Sequence, residues 1–129
     1  MKDCSIQLTN HPGDLARVAQ ALARRAVNIK AITALTVDGQ AIARILPDDI
    51  EAARKAFETA MIRFTESEVH TVLLENKAGQ LASLADRLGA AGINLEALYL
   101  TGIADDLVEV AIVSDNPKKT KKLLAEFAG

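Results

Sequence analysis

The chain has 129 residues, half of them hydrophobic and only 3% aromatic, with 15 basic and 17 acidic side chains giving a formal charge of −2. That balance offers no general field for nucleic acid or an anionic membrane, and no run approaches the roughly 20 apolar residues of a membrane span. The start, Met1 to Ile6, lacks the uninterrupted apolar region of a signal peptide, so a cytoplasmic protein is expected. Cys4, the single cysteine, leaves neither an intrachain disulfide nor a CxxC pair.

A first strand is predicted over 3–9, followed by the turn Asn10-His11-Pro12-Gly13 and a helix from Gly13 to about Arg25, with Leu15, Val18, Ala19 and Leu22 at helical spacing. Asn28 opens a second extended run, Ile29 to Val37. Asp38-Gly39 signals a hairpin, and the third strand follows as Ala41 to Leu46. Asp48 is the expected N-cap of the next helix, with Glu51 in the reciprocal capping-box position. Ile50, Ala53, Phe57 and Ala60 should face the sheet, and a short strand is expected near 62–65.

The pattern then starts again, because Leu8-Thr9-Asn10-His11-Pro12-Gly13-Asp14-Leu15 recurs as Leu74-Glu75-Asn76-Lys77-Ala78-Gly79-Gln80-Leu81, 66 positions on from Asn10 to Asn76. The same shift relates Asn28 to Asn94, Ile29 to Leu95 and Leu22 to Leu88. Such self-similarity fixes the architecture: two ferredoxin-like β-α-β-β-α-β units, 1–66 and 67–129, the second without its last strand, with helices on one face of an antiparallel sheet. Units of this size are marginal alone and should bury a common interface. Strands are expected over 69–75, 94–101 and 107–113, and helices over 79–91 and from Pro117 to Phe127. The second unit then has no residues for a fourth strand. An edge left open in this way invites pairing with another chain, so a homodimer is expected.

The repeated motif is a strand-to-helix turn. Glycine permits its backbone geometry, and the helix that follows offers unpaired N–H groups and the positive end of its dipole to a carboxylate or phosphate. Other side chains carry less. His11 and His70 lie far apart without metal-ligand spacing, and no Ser/His/Asp or Cys/His arrangement has local support. Lys118, Lys119, Lys121 and Lys122 read as a solvated helix face.

With Asn-x-Pro-Gly-x-Leu at the corner, Val27-Asn28-Ile29 after the helix, and Asn76-Lys77-Ala78-Gly79-Gln80-Leu81 with Ile93-Asn94-Leu95 repeating both, the chain resembles a tandem ACT-domain protein. The resemblance implies a regulatory module without catalysis, metal or cofactor, which binds a small amino acid at the seam between units and acts on a metabolic enzyme or regulator. Carried over by motif, it assigns ligand contact to Asn10, His11, Pro12, Gly13, Asp14, Leu15, Asn28 and Ile29, and to Asn76, Gly79, Gln80, Leu81, Asn94 and Leu95. An Asn side chain offers an acceptor for an ammonium group and donors for a carboxylate. Ala78 departs from the motif's proline. Leu8 and Leu74 stand where serine-sensing relatives carry a polar residue, which points to an aliphatic or other small amino acid.

Other readings of the fold find less support. An RNA-recognition module needs aromatic residues on its central strands, a metal-transfer domain needs CxxC at the first corner, and an acylphosphatase-type enzyme needs an Arg in that loop. A scaffold that keeps the fold without the ligand is the alternative, favoured by Ala78 and the shortened second unit.

Overall fold

The structure, a computed structural model, describes residues 1–128. It separates into two compact units, Lys2–Ser67 and, with Met1, the residues from Glu68 onward. The first contains β1 (Lys2–Leu8), α1 (Asp14–Arg24), β2 (Ile29–Val37), β3 (Gln40–Pro47), α2 (Ile50–Thr59) and β4 (Thr65–Glu68). Its sheet has the order β2-β3-β1-β4, with β1 and β2 both antiparallel to β3. Strand alternation puts Cys4, Ile6 and Ile45 on one face, where Val18, Ala21 and Leu22 of α1 and Ala53, Ala56 and Phe57 of α2 complete the core. Burying a side chain such as Phe57 contributes about 1.5–3 kcal/mol.

The second unit repeats the plan with β5 (His70–Glu75), α3 (Gln80–Ala90), β6 (Leu95–Ala104), β7 (Leu107–Ser114) and α4 (Pro117–Ala128). Among the described residues its sheet has three strands, in the order β5-β7-β6. Val72, Leu74, Leu84, Leu88, Val110, Ile112 and Leu124 belong to its core.

Three helices end in one way. In α1, Ala26 N–H donates to Ala23 O (3.0 Å) and Val27 N–H to Leu22 O (3.0 Å); in α2, Met61 bonds Glu58 (3.1 Å) and Ile62 bonds Phe57 (2.8 Å); in α3, Gly92 bonds Gly89 and Ile93 bonds Leu88 (both 3.0 Å). This is the Schellman arrangement, whose turning residue is left-handed: Ala26, Met61 and Gly92 have φ of 54°, 58° and 73°. Each following residue, Val27, Ile62 or Ile93, is buried and delivers the chain back to the sheet.

Three expectations are corrected. The N-cap of α2 is Asp49, which accepts from Ala52 N–H at 3.1 Å, so Glu51 is not in a capping box. Asp48 is used elsewhere, as described below. The fourth strand occupies Thr65–Glu68 rather than 62–65, because the Schellman turn consumes Met61 and Ile62 before the chain can rejoin the sheet edge. Glu66 on that strand takes a two-pronged bond from Arg54 of α2 (2.6 and 2.7 Å), which anchors it.

Finally, β6 runs on to Ala104, with a register break between Leu100 and Gly102. Thr101, at that bulge, donates its hydroxyl to Glu109 Oε1 at 2.6 Å. The bulge absorbs one extra residue, so the repeat's offset grows by one position beyond it.

Candidate functional site

The repeated corners are built differently from the other helix starts. Helices α2 and α4 are capped by side chains, Asp49 on Ala52 N–H and Asn116 on Lys119 N–H (3.1 Å each). Helices α1 and α3 begin instead at glycines in the left-handed region, Gly13 (φ 92°) and Gly79 (φ 89°), and neither has a side-chain cap. In α1 the first amide, Asp14 N–H, turns back to His11 O (3.2 Å), and Arg17 N–H starts the helical ladder on Gly13 O (3.0 Å). The amides of Leu15 and Ala16 between them have no intrahelical acceptor. In α3, Gln80 bonds Lys77 O (3.3 Å) and Ser83 bonds Gly79 O (3.0 Å), which leaves Leu81 and Ala82 in the same position. Each corner therefore presents a positive helix end, flanked by a half-exposed leucine: Leu15 is 40% and Leu81 50% accessible.

Asp14 braces the first corner. Its carboxylate accepts Thr9 N–H (2.8 Å), His11 N–H (3.3 Å) and the Thr9 hydroxyl, which also lies 3.0 Å from His11 Nδ1. The Thr9 side-chain bond above all, then the His11 backbone bond, holds this carboxyl below its ordinary range, so it is ionised at neutral pH. The charge points into the loop and shapes it, with Pro12 at its exposed tip and Asn10 in a left-handed conformation (φ 60°). Asn10 Oδ1 receives the Thr36 hydroxyl at 3.5 Å, near the far end of β2.

The second corner is held by other means. Asn76 N–H donates to Asp106 O (2.6 Å), and Lys77 Nζ lies 3.0 Å from Glu75. Glu75 and Gln80 stand where Thr9 and Asp14 stand in the first, so the carboxylate brace is not repeated.

The asparagines that open β2 and β6 sit at the opposite end of each sheet. Asn28 N–H donates to Asp48 Oδ1 (3.0 Å) and Asp48 N–H returns to Asn28 O (3.0 Å). Asn94 and Asp115 make the same exchange at 3.0 and 3.1 Å, with a further bond from Asn94 Nδ2 at 3.4 Å. Asn10 lies by Thr36, and β2 between Ile29 and Thr36 spans roughly 20–25 Å at about 3.3 Å per residue. Within one unit, then, the corner residues (Asn10 to Leu15, or Asn76 with Gly79, Gln80 and Leu81) do not meet the strand-opening pair (Asn28 and Ile29, or Asn94 and Leu95). Ile29 packs on the core, whereas Leu95 is 40% accessible.

Sequence reasoning missed Asp48 and Asp115 as partners of the asparagines. Their signal was present, an aspartate closing the third strand of both halves, but the bulge at Thr101 displaces one relative to the other. Among the described residues, no group of three or more His, Cys, Asp or Glu side chains could hold a metal ion, and no helix is long and apolar enough to cross a membrane.

Residues 5–62 match the family described as the AHAS small subunit-like ACT domain. No curated protein matches the sequence. Among solved structures, a protein of Bacteroides thetaiotaomicron is similar at 27% identity and a TM-score of 0.86, over 97% of this chain and 86% of that one. The ligand-free regulatory subunit of aspartate kinase from Thermus thermophilus shares the fold at 18% identity and a TM-score of 0.68, over 96% and 87%. The Thermus flavus regulatory subunit does so at 16%, with the same TM-score and coverage. The ACT match thus falls on the first unit, and the second unit repeats its plan of strands and helices.

Proposed function

We propose that the chain is a non-catalytic cytoplasmic regulator that binds a small amino acid at its glycine corners and passes that signal to a metabolic enzyme or another regulator. The observation that carries this reading is the contrast in capping. Two helices are closed by side chains, and the two at the repeated motif are left open by a glycine. A ligand carboxylate satisfies the amides of Leu15 and Ala16, while Asn10 Oδ1 and the loop carbonyls accept from its ammonium group. Leu15 and Leu81 supply the apolar contact that favours an aliphatic side chain.

The distance between Asn10 and Asn28 adds a condition. A single amino acid that touches both residue types must be shared by two ACT units, whether of one chain or of a homodimer. Binding then shifts the association of units only as far as affinity differs between the states.

The test is thermal unfolding of the full chain against each common amino acid at millimolar concentration, repeated with Asn10→Ala and Asn76→Ala. A ligand at 100 times its Kd stabilises by about 2.7 kcal/mol, several degrees for a chain of this size. A selective shift lost in Asn10→Ala supports the reading, and loss in Asn76→Ala brings in the second corner. A flat panel for a folded chain overturns it and leaves a ligand-free scaffold.

A further inference from the structure

A separate feature lies at the other edge of the first sheet. There β1 continues to Leu8, while its neighbour β4 begins only at Thr65. The segment between the Schellman turn of α2 and β4 runs beside β1 without joining it, and two clefts open along this gap. One, of about 580 Å³, opens beside Ser5, Gln7 and Ile42; the other, of about 530 Å³, opens beside Leu8, Arg17 and Met61. They share Gln7, Ile62 and Arg63. Each is within the size range of sites for small organic molecules.

The lining specifies a chemistry. No acidic side chain lines either cleft, whereas Arg63 borders both and Arg17 borders the second. Arg44 and Arg54 of this unit are paired with Asp3 and Glu66; Arg17 and Arg63 are in no ion pair among the described residues and are exposed. In the second cleft, which both guanidinium groups border, Leu8, Ile62 and Met61 supply apolar wall beside the polar Gln7 and Thr9. Met61 is 88% accessible at the rim and keeps a flexible thioether at a left-handed position where glycine would be easier.

We infer that the second cleft, between β1 and residues 61–63, is a binding site for a small amphipathic carboxylate, whose head is held by Arg63, with Arg17 alongside, and whose apolar body lies against Leu8 and Met61. A guanidinium matches a carboxylate through two parallel N–H bonds, and the flanking apolar surface gains from covering. The lining offers a carboxylate two guanidinium groups and carries no negative charge to attract an ammonium. This site is independent of the glycine corners.

The test is titration of the ¹⁵N-labelled full chain with octanoate, octylammonium and acetate, followed by amide shifts, in the parent and in Arg63→Gln and Arg17→Gln. Octanoate is expected to move the amides of Gln7, Ile62, Arg63 and Phe64 in a saturable way, octylammonium and acetate to leave them in place, and Arg63→Gln to weaken octanoate by about tenfold or more, with Arg17→Gln weakening it less. The unchanged remainder of each spectrum reports that the variants are folded. Octanoate shifts that are absent, or spread over other surfaces, overturn the inference. So do equal binding of octylammonium and unchanged affinity in Arg63→Gln.

Discussion

Asn28 and Asp48 hold each other by two bonds at once, Asn28 N–H to Asp48 Oδ1 and Asp48 N–H to Asn28 O, each 3.0 Å long. The residue that opens β2 is thereby fixed to the residue that closes β3, and Asn94 with Asp115 repeats the clamp in the second unit. Removing the carboxylate leaves a strand-end amide without its acceptor. Asp48→Ala is expected to lower stability by about 1–2 kcal/mol in urea unfolding, with Asp48→Asn losing less because its side-chain oxygen still accepts.

The Schellman ends predict opposite signs for two simple changes. Ala26 occupies a left-handed position that costs a residue with a Cβ about 1 kcal/mol, so Ala26→Gly is expected to raise the melting temperature. Gly92→Ala is expected to lower it by a similar amount. Nothing lies within 4 Å of a Cβ built on Gly92, so the effect of that change is one of backbone strain and not of crowding.

Asp14 makes the first corner sensitive to acid. Its carboxyl titrates below the ordinary range in the folded chain, so its contribution is present above the unfolded-state value, about 4, and is lost as pH falls through the lower folded value. Asp14→Asn is expected to flatten the decline of melting temperature below pH 4, and to loosen the Thr9–His11 loop at neutral pH, seen as faster amide exchange of Thr9 and His11.

Cys4 behaves in the opposite sense. Burial, and after it the charges of Glu66 and Asp3, push its thiol from an ordinary 9.0 up to about 12. The folded chain keeps the thiol neutral, so its contribution is present below pH 9.0 and declines as pH rises toward about 12. At pH 8 the thiol is expected to react with a disulfide reagent only in denaturant; immediate reaction of the native chain would contradict its burial.

Much of this was legible in sequence because the repeat supplied each element twice. The corners and the Asp38-Gly39 turn followed from local chemistry. What was hidden depended on contacts remote in sequence. Asp48 and Asp49 are both suitable caps for α2, and only the pairing of β2 with β3 shows which one Asn28 takes. Leu15 and Leu81 share the helical spacing of the core residues, yet at the first turn of α1 and α3 they stand partly clear of the sheet. The start of β4 could not be placed without knowing that Met61 adopts a left-handed turn, a role more often given to glycine. The missed register of Asp115 traces to one bulge at Thr101.

The central claim, that the open helix starts receive an amino-acid carboxylate, is met most directly by amide spectra of the ¹⁵N-labelled chain titrated with the common amino acids. The account predicts that one small amino acid shifts Leu15 and Ala16, and with the second corner engaged Leu81 and Ala82, saturably and downfield, and that its carboxamide analogue does not. Spectra in which no amino acid moves these amides, or in which the carboxamide moves them equally, would contradict it.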